Sequence, residues 1–564
     1  MRWIFSENGD AALESALAKD LRLPRFLAAL LCRRGFTCAE DAQNFLAPRL
    51  KSLSDPFLLP NMRAAIDRIL AAVDRRERIV LYGDYDVDGV TSLALFTHIL
   101  RAYGAEPHTF LPVRADEGYG LSADGIDRCL NTCNPQLLIA LDCGTSSCTE
   151  IKSLRASGVD VIVFDHHECK GDTPDCVALV NPKLASDSNP RPFDYLCTVG
   201  IVFKACHALL KSRPLTGFDL RDYLDLVALG TVADIVPLVQ ENRVLVQRGL
   251  QQLAQTRWLG VRALMSAAGV RAPIRTGDIG FKLGPRINAA GRLSSAEQAL
   301  ELLLTEDEAR AREIATSLDA QNRERQEVEK QIVKQAETMA ATQFDPSRDA
   351  AIVLGKSDWH PGVLGIVASR ICKAHHRPTL VVGFDESGLG KGSGRSIASC
   401  SLVQALGECA EFLEKFGGHE MAAGLTIRQD RFADFQKAFL RSARALLSDE
   451  QLQPRLRLDG EIVLADLNYD FLTHHEMLEP FGIGNAQPYF FCRNVVVVDS
   501  RIVKEKHLRL MLRQNGRTHA AIFFNAAETE LPPAPWDVAF QIERNEWEGR
   551  VSVQLEIKAL RSAQ

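Results

Sequence analysis

The sequence lacks the features that would place a protein in a membrane or outside the cell. No apolar run approaches the roughly 18–20 residues that a membrane-spanning helix needs. The N-terminus, residues 1–5, is followed at once by polar and acidic residues, so it has no apolar signal-peptide core. The fourteen cysteines are scattered without a CxxC pair, which argues against structural zinc and favours reduced thiols. We therefore expect a cytoplasmic protein with no membrane segment.

An excess of charge of one sign is also missing. The 564 residues carry a net charge of −6, so any nucleic acid would be bound through local basic patches. With 46% hydrophobic and 24% charged residues, the composition is that of a globular protein and excludes a disordered or fibrous chain. At roughly 150 residues per domain, the length predicts three or four domains.

The pattern along the chain predicts an α/β protein with five regions. Short buried runs alternate with helical stretches in two of them, and short alternating runs near the C-terminus are typical of a small β-barrel or a β-sandwich. The predicted regions are an N-terminal helical region (1–73), a first α/β domain with a parallel sheet (74–300), a connecting long helix (301–345), a second α/β domain (346–450) and a β-barrel (451–564).

A long helix is expected between the two α/β domains. Neither glycine nor proline occurs between Gly291 and Pro346, and residues 307–343 are rich in Ala, Glu, Arg and Gln. We predict one long, mostly exposed helix that is capped by Thr305. Two helices with a polar junction near residues 319–322 are the alternative.

Polar side chains follow three predicted strands of the first α/β domain. Residues 79–82 lead into Gly83-Asp84, residues 137–141 into Asp142, and residues 159–164 into Asp165-His166-His167. The carboxyl edge of a parallel sheet is where ligands gather, and neighbouring strands lie about 4.8 Å apart. We therefore expect these side chains to converge on one pocket.

The first of these motifs predicts a divalent-cation site. Asp84, Asp86 and Asp88 alternate, and in an extended segment they would point to one face. Like charges held together repel, so the cluster calls for a cation, and oxygen ligands with an added imidazole favour Mg²⁺ or Mn²⁺. An EF-hand is opposed by Leu95, which stands where that loop needs Glu. Asp234 lies in an apolar setting and is a helix cap, a turn residue or a further ligand.

Together these motifs resemble the signature of the DHH phosphoesterase superfamily. The strings at residues 82–92, 229–234 and 284–292 resemble its RecJ branch, whose members are single-strand-specific DNA exonucleases working 5′ to 3′. The resemblance covers nearly the whole chain. It implies a DHH-type domain and a DHHA1 domain joined by the long helix, followed by an OB-fold.

The resemblance also implies a two-metal phosphodiesterase with two Mn²⁺ or Mg²⁺ ions. Asp142 is the candidate to bridge both ions, His167 would lie beside the scissile phosphate, and Asp165 would orient the histidines. The ligands carried over by the resemblance are Asp84, Asp86, Asp88, Asp142, His166 and Asp234.

The resemblance assigns substrate contacts mainly to the second half of the chain. Two glycine-rich stretches, residues 392–396 and 417–424, are predicted to be turns and resemble the DHHA1 domain. Glycine lets a phosphate approach the backbone, and arginine can bind it bidentately. The implied contacts are Ser393, Arg395 and Arg114 on the 5′-phosphate, His360 and His419 along the cleft, and Arg286 and Arg292 on backbone phosphates.

Two further parts of the C-terminal region stand out. An OB-fold would bind single strands through basic groups, for which the candidates are Arg501, Lys504, Lys506, Arg509 and Arg513. The segment Pro480-Phe481-Gly482-Ile483-Gly484-Asn485 looks like a connector motif of the RecJ branch, but no chemical role can be assigned to it.

The leading hypothesis is a metal-dependent 5′ to 3′ exonuclease that degrades single-stranded DNA to mononucleotides in repair and recombination. Its implied partners are single-stranded DNA, a helicase and a single-strand-binding protein, and a monomer would suffice. The alternatives are a DHH phosphodiesterase acting on short RNA or cyclic dinucleotides, a non-catalytic replication scaffold and a family II pyrophosphatase.

Overall fold

A computed structural model describes residues 1–6, 9–112, 120–169, 171–184, 193–293, 296–547 and 549–563, without the side chains at 292, 293 and 547. None of the helices described there is long and apolar enough to cross a bilayer. All fourteen cysteines are free thiols, as predicted.

The N-terminal region is mainly helical, but it begins with a strand that the sequence did not predict. Strand β1 (Arg2–Phe5) pairs in parallel with residues Arg455–Leu458, far along the chain. The helices that follow are α1 (Ala11–Leu21), α2 (Arg25–Arg33), α3 (Ala39–Leu46) and α4 (Met62–Asp74). Helix α4 packs into the core of the first α/β unit, whereas α1 to α3 pack against the C-terminal barrel.

The first α/β unit is built on a parallel sheet with the order β3-β2-β4-β5-β6. Its strands are β2 (Ile79–Gly83), β3 (His108–Phe110), β4 (Leu137–Leu141), β5 (Asp160–Phe164) and β6 (Ala178–Val180). Helices cover both faces, so β2 and β4 are buried along their whole length. The strand order reverses between β2 and β4, which opens a crevice at their carboxyl ends.

The helices of this unit surround the sheet and continue beyond it. They are α5 (Val87–Ala102), α6 (Ala123–Cys133), α7 (Cys148–Ala156), α8 (Thr198–Ser212), α9 (Leu224–Ala233), α10 (Gln240–Leu253), α11 (Leu259–Ala267), α12 (Thr276–Asp278), α13 (Gly284–Leu293) and α14 (Glu297–Leu304). A π-helical turn, Ile279–Leu283, joins α12 to α13.

A single helix, α15 (Glu308–Gln343), follows, which confirms the one-helix prediction. The predicted cap at Thr305 is wrong. Asp307 caps the helix by accepting hydrogen bonds from the backbone N–H groups of Ala309 and Arg310, while Thr305 ends α14. The helix is also less solvated than predicted, because its packed face buries the polar residues Asp319, Asn322, Arg325 and Glu329.

The second α/β unit has a mixed sheet with the order β10-β11-β9-β8-β7. Its elements are β7 (Ile352–Ser357), α16 (Leu364–His375), β8 (Thr379–Phe384), β9 (Leu389–Arg395), α17 (Leu402–Gly407), β10 (Lys415–Gly418), β11 (Ala422–Arg428) and α18 (Phe432–Leu446). Most of the two glycine-rich stretches predicted to be turns therefore lies in strands. Packing explains two of these glycines, since a Cβ at Gly392 would overlap the side chain of Leu425 and one at Gly394 the side chain of Leu380.

The C-terminal region contains the predicted β-barrel. Strands β14, β15, β16, β18 and β17 form a closed ring in that order, because β17 pairs back with β14. The elements are β12 (Arg455–Leu458), β13 (Gly460–Glu461), α19 (Tyr469–Glu476), β14 (Phe490–Val503), β15 (His507–Gln514), β16 (Arg517–Phe523), β17 (Trp536–Trp547) and β18 (Arg550–Ser562). The barrel interior, with Leu510, Val538 and Leu555, shares one hydrophobic core with helices α1 to α3 and α19.

Candidate active site

The polar side chains at the ends of three adjacent strands converge, as the sequence predicted. Strands β2, β4 and β5 are neighbours in the parallel sheet, and they lead into Asp84, Asp142 and Asp165, respectively. Oxygens of Asp84, Asp86 and Asp142 lie within 4.8 Å of one another. The crevice at the strand-order reversal is therefore lined with carboxylates.

The side chains of Asp84, Asp86 and Asp88 lie close together, but not because the segment is extended, as the sequence predicted. The chain is not extended after Gly83, because Asp86 caps helix α5 and accepts hydrogen bonds from the N–H groups of Asp88 (2.9 Å) and Gly89 (3.1 Å). Asp88 lies in the first helical turn. A side chain at Gly89 would overlap the carbonyl oxygen of Asp84, so glycine permits this tight turn.

The start of helix α8 holds two of the carboxylates. The backbone N–H groups of Thr198 and Val199 donate to the two carboxylate oxygens of Asp88, at 2.7 and 2.8 Å. The Thr198 hydroxyl donates to Asp142 Oδ1 at 2.8 Å. The positive end of the α8 dipole thus faces both acidic groups and stabilises their charge.

His166 and Asp234 complete the cluster. The Nε2 atom of His166 lies 3.4 Å from Asp234 Oδ2, 3.5 Å from Asp142 Oδ1 and 4.0 Å from Asp88 Oδ2. Both His166 Nε2 and Asp234 Oδ2 are buried and have no hydrogen-bond partner among the described residues. Buried polar atoms are normally paired, so these two atoms, aimed at the same point, suit a bound cation.

The electrostatics of the cluster also fit a cation. Burial and the charge of Asp86 raise the pKa of Asp88 to about 7, and burial and Asp88 raise the pKa of Asp234 to about 9. Burial and Asp88 likewise raise the pKa of Asp142. Burial lowers the pKa of His166 to about 3, which keeps its imidazole neutral, the form that binds metals. Carboxylate oxygens with one imidazole are a donor set that suits Mn²⁺ or Mg²⁺.

His167 lies at the edge of the cluster and is oriented by Asp165. The Oδ1 atom of Asp165 accepts hydrogen bonds from the N–H groups of His166 and His167 and is 2.7 Å from His167 Nδ1. Against the effect of burial, Asp165 raises the pKa of His167 to about 9. The contact with Asp165 therefore favours the protonated form of His167, whose side chain is 48% exposed.

Ser393 and Arg395 lie side by side on strand β9, over the first turn of helix α16. A Cβ at Gly365 in that turn would lie 2.9 Å from Arg395 Nη2 and 3.1 Å from Ser393 Oγ. Burial lowers the pKa of Arg395. A guanidinium, a hydroxyl and a helix N-terminus in one place form an anion-binding arrangement.

The two candidate histidines of the second unit lie in different settings. His360 precedes α16, is exposed, and accepts a hydrogen bond from the N–H of Gly362 through Nδ1. His419 follows β10. The low pKa of His166 is caused mainly by burial, then by the charge of His167, and to a smaller extent by the charge of His419. His419 of the second α/β unit therefore lies near enough to the carboxylate cluster for its charge to act on His166.

The three candidate arginines of the first unit are not equally informative. Arg286 is already engaged: it forms an ion pair with Asp319 of α15 at 2.8 Å and donates to the carbonyl of Lys282. Its predicted contact with a phosphate has no support in this geometry and stays a prediction. Arg292 lies on α13, but its side chain is outside the described residues, as is the whole of Arg114.

Several residues that support the site were missed from the sequence. Asn181 donates to Thr145 Oγ1 and to the carbonyl of His167, both at 2.9 Å, and so fixes the His167 loop. Asn181 directly follows the short apolar strand β6, and this is the same pattern that predicted Asp142 and Asp165. Asn288 accepts a hydrogen bond from the N–H of Val87 at 3.1 Å, and this long-range pairing leaves no local signal.

Comparison with known proteins identifies the family. Three family models match: the DHH family N-terminal domain at residues 78–231, the DHHA1 domain at 348–445 and the RecJ OB domain at 458–559. The single-stranded-DNA-specific exonuclease RecJ of Bacillus subtilis (strain 168) is 36% identical, and the match covers 99% of this chain and 70% of that protein. The chain belongs to the RecJ family. RecJ of Haemophilus influenzae is also 36% identical, with 90% and 91% covered.

A solved structure supports the same conclusion. The crystal structure of RecJ from Thermus thermophilus in complex with Mn²⁺ matches with a TM-score of 0.86 at 31% identity, and the match covers 100% of this chain and 80% of that one. The predicted resemblance to RecJ proteins and the predicted fold class are thereby confirmed.

Proposed function

We propose that this chain is a divalent-cation-dependent exonuclease that degrades single-stranded DNA from its 5′ end to mononucleotides. The observation that carries the proposal is the carboxylate cluster at the β2/β4 crevice, where His166 Nε2 and Asp234 Oδ2 are buried without a partner among the described residues. Membership of the RecJ family supports the choice of substrate.

We assign the ligands from the distances within the cluster. Asp84, Asp86 and Asp142 would hold one ion, and Asp88, His166 and Asp234 would hold the other, with Asp142 shared. When bound, two such ions neutralise the phosphodiester and lower the pKa of a water molecule. This chain's own contribution is to hold the carboxylates in place through the N-termini of α5 and α8.

His167 is the candidate for handling a proton or stabilising charge at the phosphate. Asp165 engages its Nδ1 atom, so Nε2 is the atom that can donate to a phosphate or leaving-group oxygen. The carboxylate of Asp165 also raises the pKa of His167, which favours a proton on that atom. Asp165 is thus a positioning residue that fixes both the orientation and the protonation state of His167.

Polarity would follow from the anion-binding arrangement in the second unit. A 5′-terminal phosphate bound by Ser393, Arg395 and the N-terminus of α16 would place the first phosphodiester at the carboxylate cluster across the cleft. Arg114 as a third contact, His360 and His419 along the cleft, and Arg292 on the backbone remain part of the proposal. So do the domain division at 73, 300, 345 and 450, the cytoplasmic location, the monomeric state, the helicase and single-strand-binding partners, and the role in repair and recombination.

An end-labelled oligonucleotide tests the proposal. The protein is incubated with a single strand labelled at either end, with Mn²⁺ or EDTA, beside Asp142→Asn and the control Asp127→Asn, an exposed aspartate on α6. We expect early release of the 5′ label as a mononucleotide with Mn²⁺ in the wild type and the control. We expect no release in EDTA or with Asp142→Asn. Early loss of the 3′ label would overturn the polarity. Cleavage of dinucleotides but not of long strands would favour the small-substrate alternative.

Two variants test the 5′-phosphate contact separately. Ser393→Ala and Arg395→Gln should raise KM for a 5′-phosphorylated strand and reduce its advantage over a 5′-hydroxyl strand. An unchanged preference for the phosphorylated strand in both variants would refute this assignment.

A further inference from the structure

The turn that follows Asp234 has a strained backbone. Ile235 has φ +62°, a left-handed conformation that a β-branched residue rarely adopts, and its side chain is 68% exposed. Such strain persists only where the surrounding structure holds it in place. Because the exposed side chain of Ile235 cannot do this by packing, the turn must be held through the residues on either side of it.

One side of the turn is the end of helix α9, and the other is held by the C-terminal region. The N–H of Leu238 donates to the carbonyl of Ile483 at 2.7 Å. Ile483 belongs to residues 480–485, the connector motif seen in the sequence, which we call the brace loop. A Cβ at Gly482 would lie 2.7 Å from Leu238 Cδ1, and one at Gly484 would lie 3.2 Å from Pro237 Cβ. The brace loop therefore packs directly on the turn that carries Asp234.

The brace loop is itself rigidly fixed. Asn485 is 3% exposed, and its Nδ2 donates to the carbonyls of Leu478 and Pro480 at 2.8 Å each. Its Oδ1 accepts a hydrogen bond from the guanidinium of Arg34. The Thr276 hydroxyl donates to the carbonyl of Phe481 at 2.7 Å. The contacts of Arg34 and Thr276 come from the N-terminal region and the first α/β unit, so the loop is also anchored independently of the turn.

We propose that the brace loop positions Asp234 for metal binding by holding residues 235–238 in their strained conformation. This proposal rests on the proposed role of Asp234 as a ligand. Without the brace, the turn would relax, and the Asp234 carboxylate would move away from His166. A left-handed conformation costs an amount that corresponds to a roughly 5- to 30-fold change in an equilibrium constant. Disturbing the brace loop should therefore weaken the binding of one of the two cations by up to that factor. The affinity for the other cation should stay nearly unchanged.

Mn²⁺ titration, followed by calorimetry and by the electron paramagnetic resonance of free Mn²⁺, tests the proposal without measuring activity. The test variant is Gly482→Ala, which adds a methyl group against the buried Leu238. The matched control is Gly407→Ala, where a Cβ meets nothing within 4 Å. We expect weaker binding of one ion in Gly482→Ala only, with an unchanged metal-free thermal unfolding curve. Adding Ile235→Gly should restore the lost affinity, because glycine adopts a positive φ without steric cost.

Asp234→Asn in the same titration separates the two proposals. If Asp234→Asn weakens the binding of one ion and Gly482→Ala does not, the proposed role of the brace loop is refuted and the assignment of Asp234 as a ligand stands. If Asp234→Asn changes nothing, the ligand assignment fails and the brace fails with it. Equally weakened binding of both ions, or no recovery of affinity on adding Ile235→Gly, also refutes the proposed role of the brace loop. Should Gly482→Ala fail to fold, Thr276→Val removes one anchor of the loop and carries the same expectation with a smaller effect; wild-type affinity there would refute the proposal.

Discussion

Arg243 joins three parts of the molecule, and its replacement should separate them. The side chain is 2% exposed and donates hydrogen bonds to four backbone carbonyls, of Phe45, Met477, Leu478 and Glu479, at 2.7–3.2 Å. Its guanidinium also lies 3.8 Å from the centre of the Phe45 ring. The arginine is on α10, Phe45 is on α3, and the other three carbonyls precede the brace loop.

Two opposing terms set the size of the effect. Burial lowers the pKa of Arg243 from 12.5 to about 9, which corresponds to about 5 kcal/mol of desolvation cost. Hydrogen bonds to a charged group contribute about 1.5–3 kcal/mol each, so the four together supply on the order of 6–12 kcal/mol. The difference is about 1–7 kcal/mol in favour of the hydrogen bonds, and Arg243→Met should lower the stability of this junction by an amount in that range. Lysine cannot reach four carbonyls from one ammonium, so Arg243→Lys should also destabilise the junction.

Unfolding curves and limited proteolysis together check this prediction. A chain of several domains does not unfold in one step, so we expect a new early transition in Arg243→Met, accompanied by faster proteolysis of helices α1 to α3. The control is Arg262→Met, which replaces an exposed arginine on α11. Superimposable unfolding curves for wild type and Arg243→Met would show that the four hydrogen bonds do not exceed the desolvation cost.

Three further predictions concern single side chains. Thr198→Val removes the hydroxyl that donates to Asp142 and should weaken Mn²⁺ binding roughly tenfold by calorimetry; unchanged affinity would contradict it. Asn181→Ala removes two hydrogen bonds that fix the His167 loop and should lower kcat roughly tenfold at unchanged Mn²⁺ affinity; a change in metal binding alone would count against that role. His475 is buried, and burial lowers its pKa to about 4, so the stability of the neutral form is fully present above pH 6.5 and lost as pH falls towards 4, by about 3 kcal/mol. His475→Phe should flatten that acid dependence in urea unfolding, and an equally steep dependence in the variant would refute the assignment.

The parts of the site that could be predicted from the sequence depend on local patterns. Asp84, Asp142 and Asp165 each follow an apolar run directly, and parallel strands bring such positions to one edge whatever the connections between them. Asp86 shows the limit of this reasoning, because its role as the cap of α5 replaces the extended geometry that the alternation suggested. A cap and an alternating strand both place polar residues at short intervals, so the motif alone cannot separate them.

Long-range pairings left no signal to read. Nothing near Arg286 in the sequence marks Asp319 as its partner, so the ion pair between them could not be predicted. The glycines at 392–394 and 417–418 were predicted to be turns because glycine is common there. In the structure, Gly392 and Gly394 lie in β9, where a Cβ would meet the side chains of Leu425 and Leu380, so the need for glycine there depends on neighbours that are distant in sequence.

The pairing of β1 with β12 has a consequence for synthesis on the ribosome. Arg2 lies opposite Arg455, and Phe26 stacks on Phe471 with ring centres 3.9 Å apart, so the first helices complete their core only with residues made about 450 positions later. At about 5–20 residues per second, the nascent N-terminus waits roughly 20–90 s for its partner. During that interval the apolar faces of α1 to α3 are available to chaperones, whereas the first α/β unit can fold as soon as it emerges.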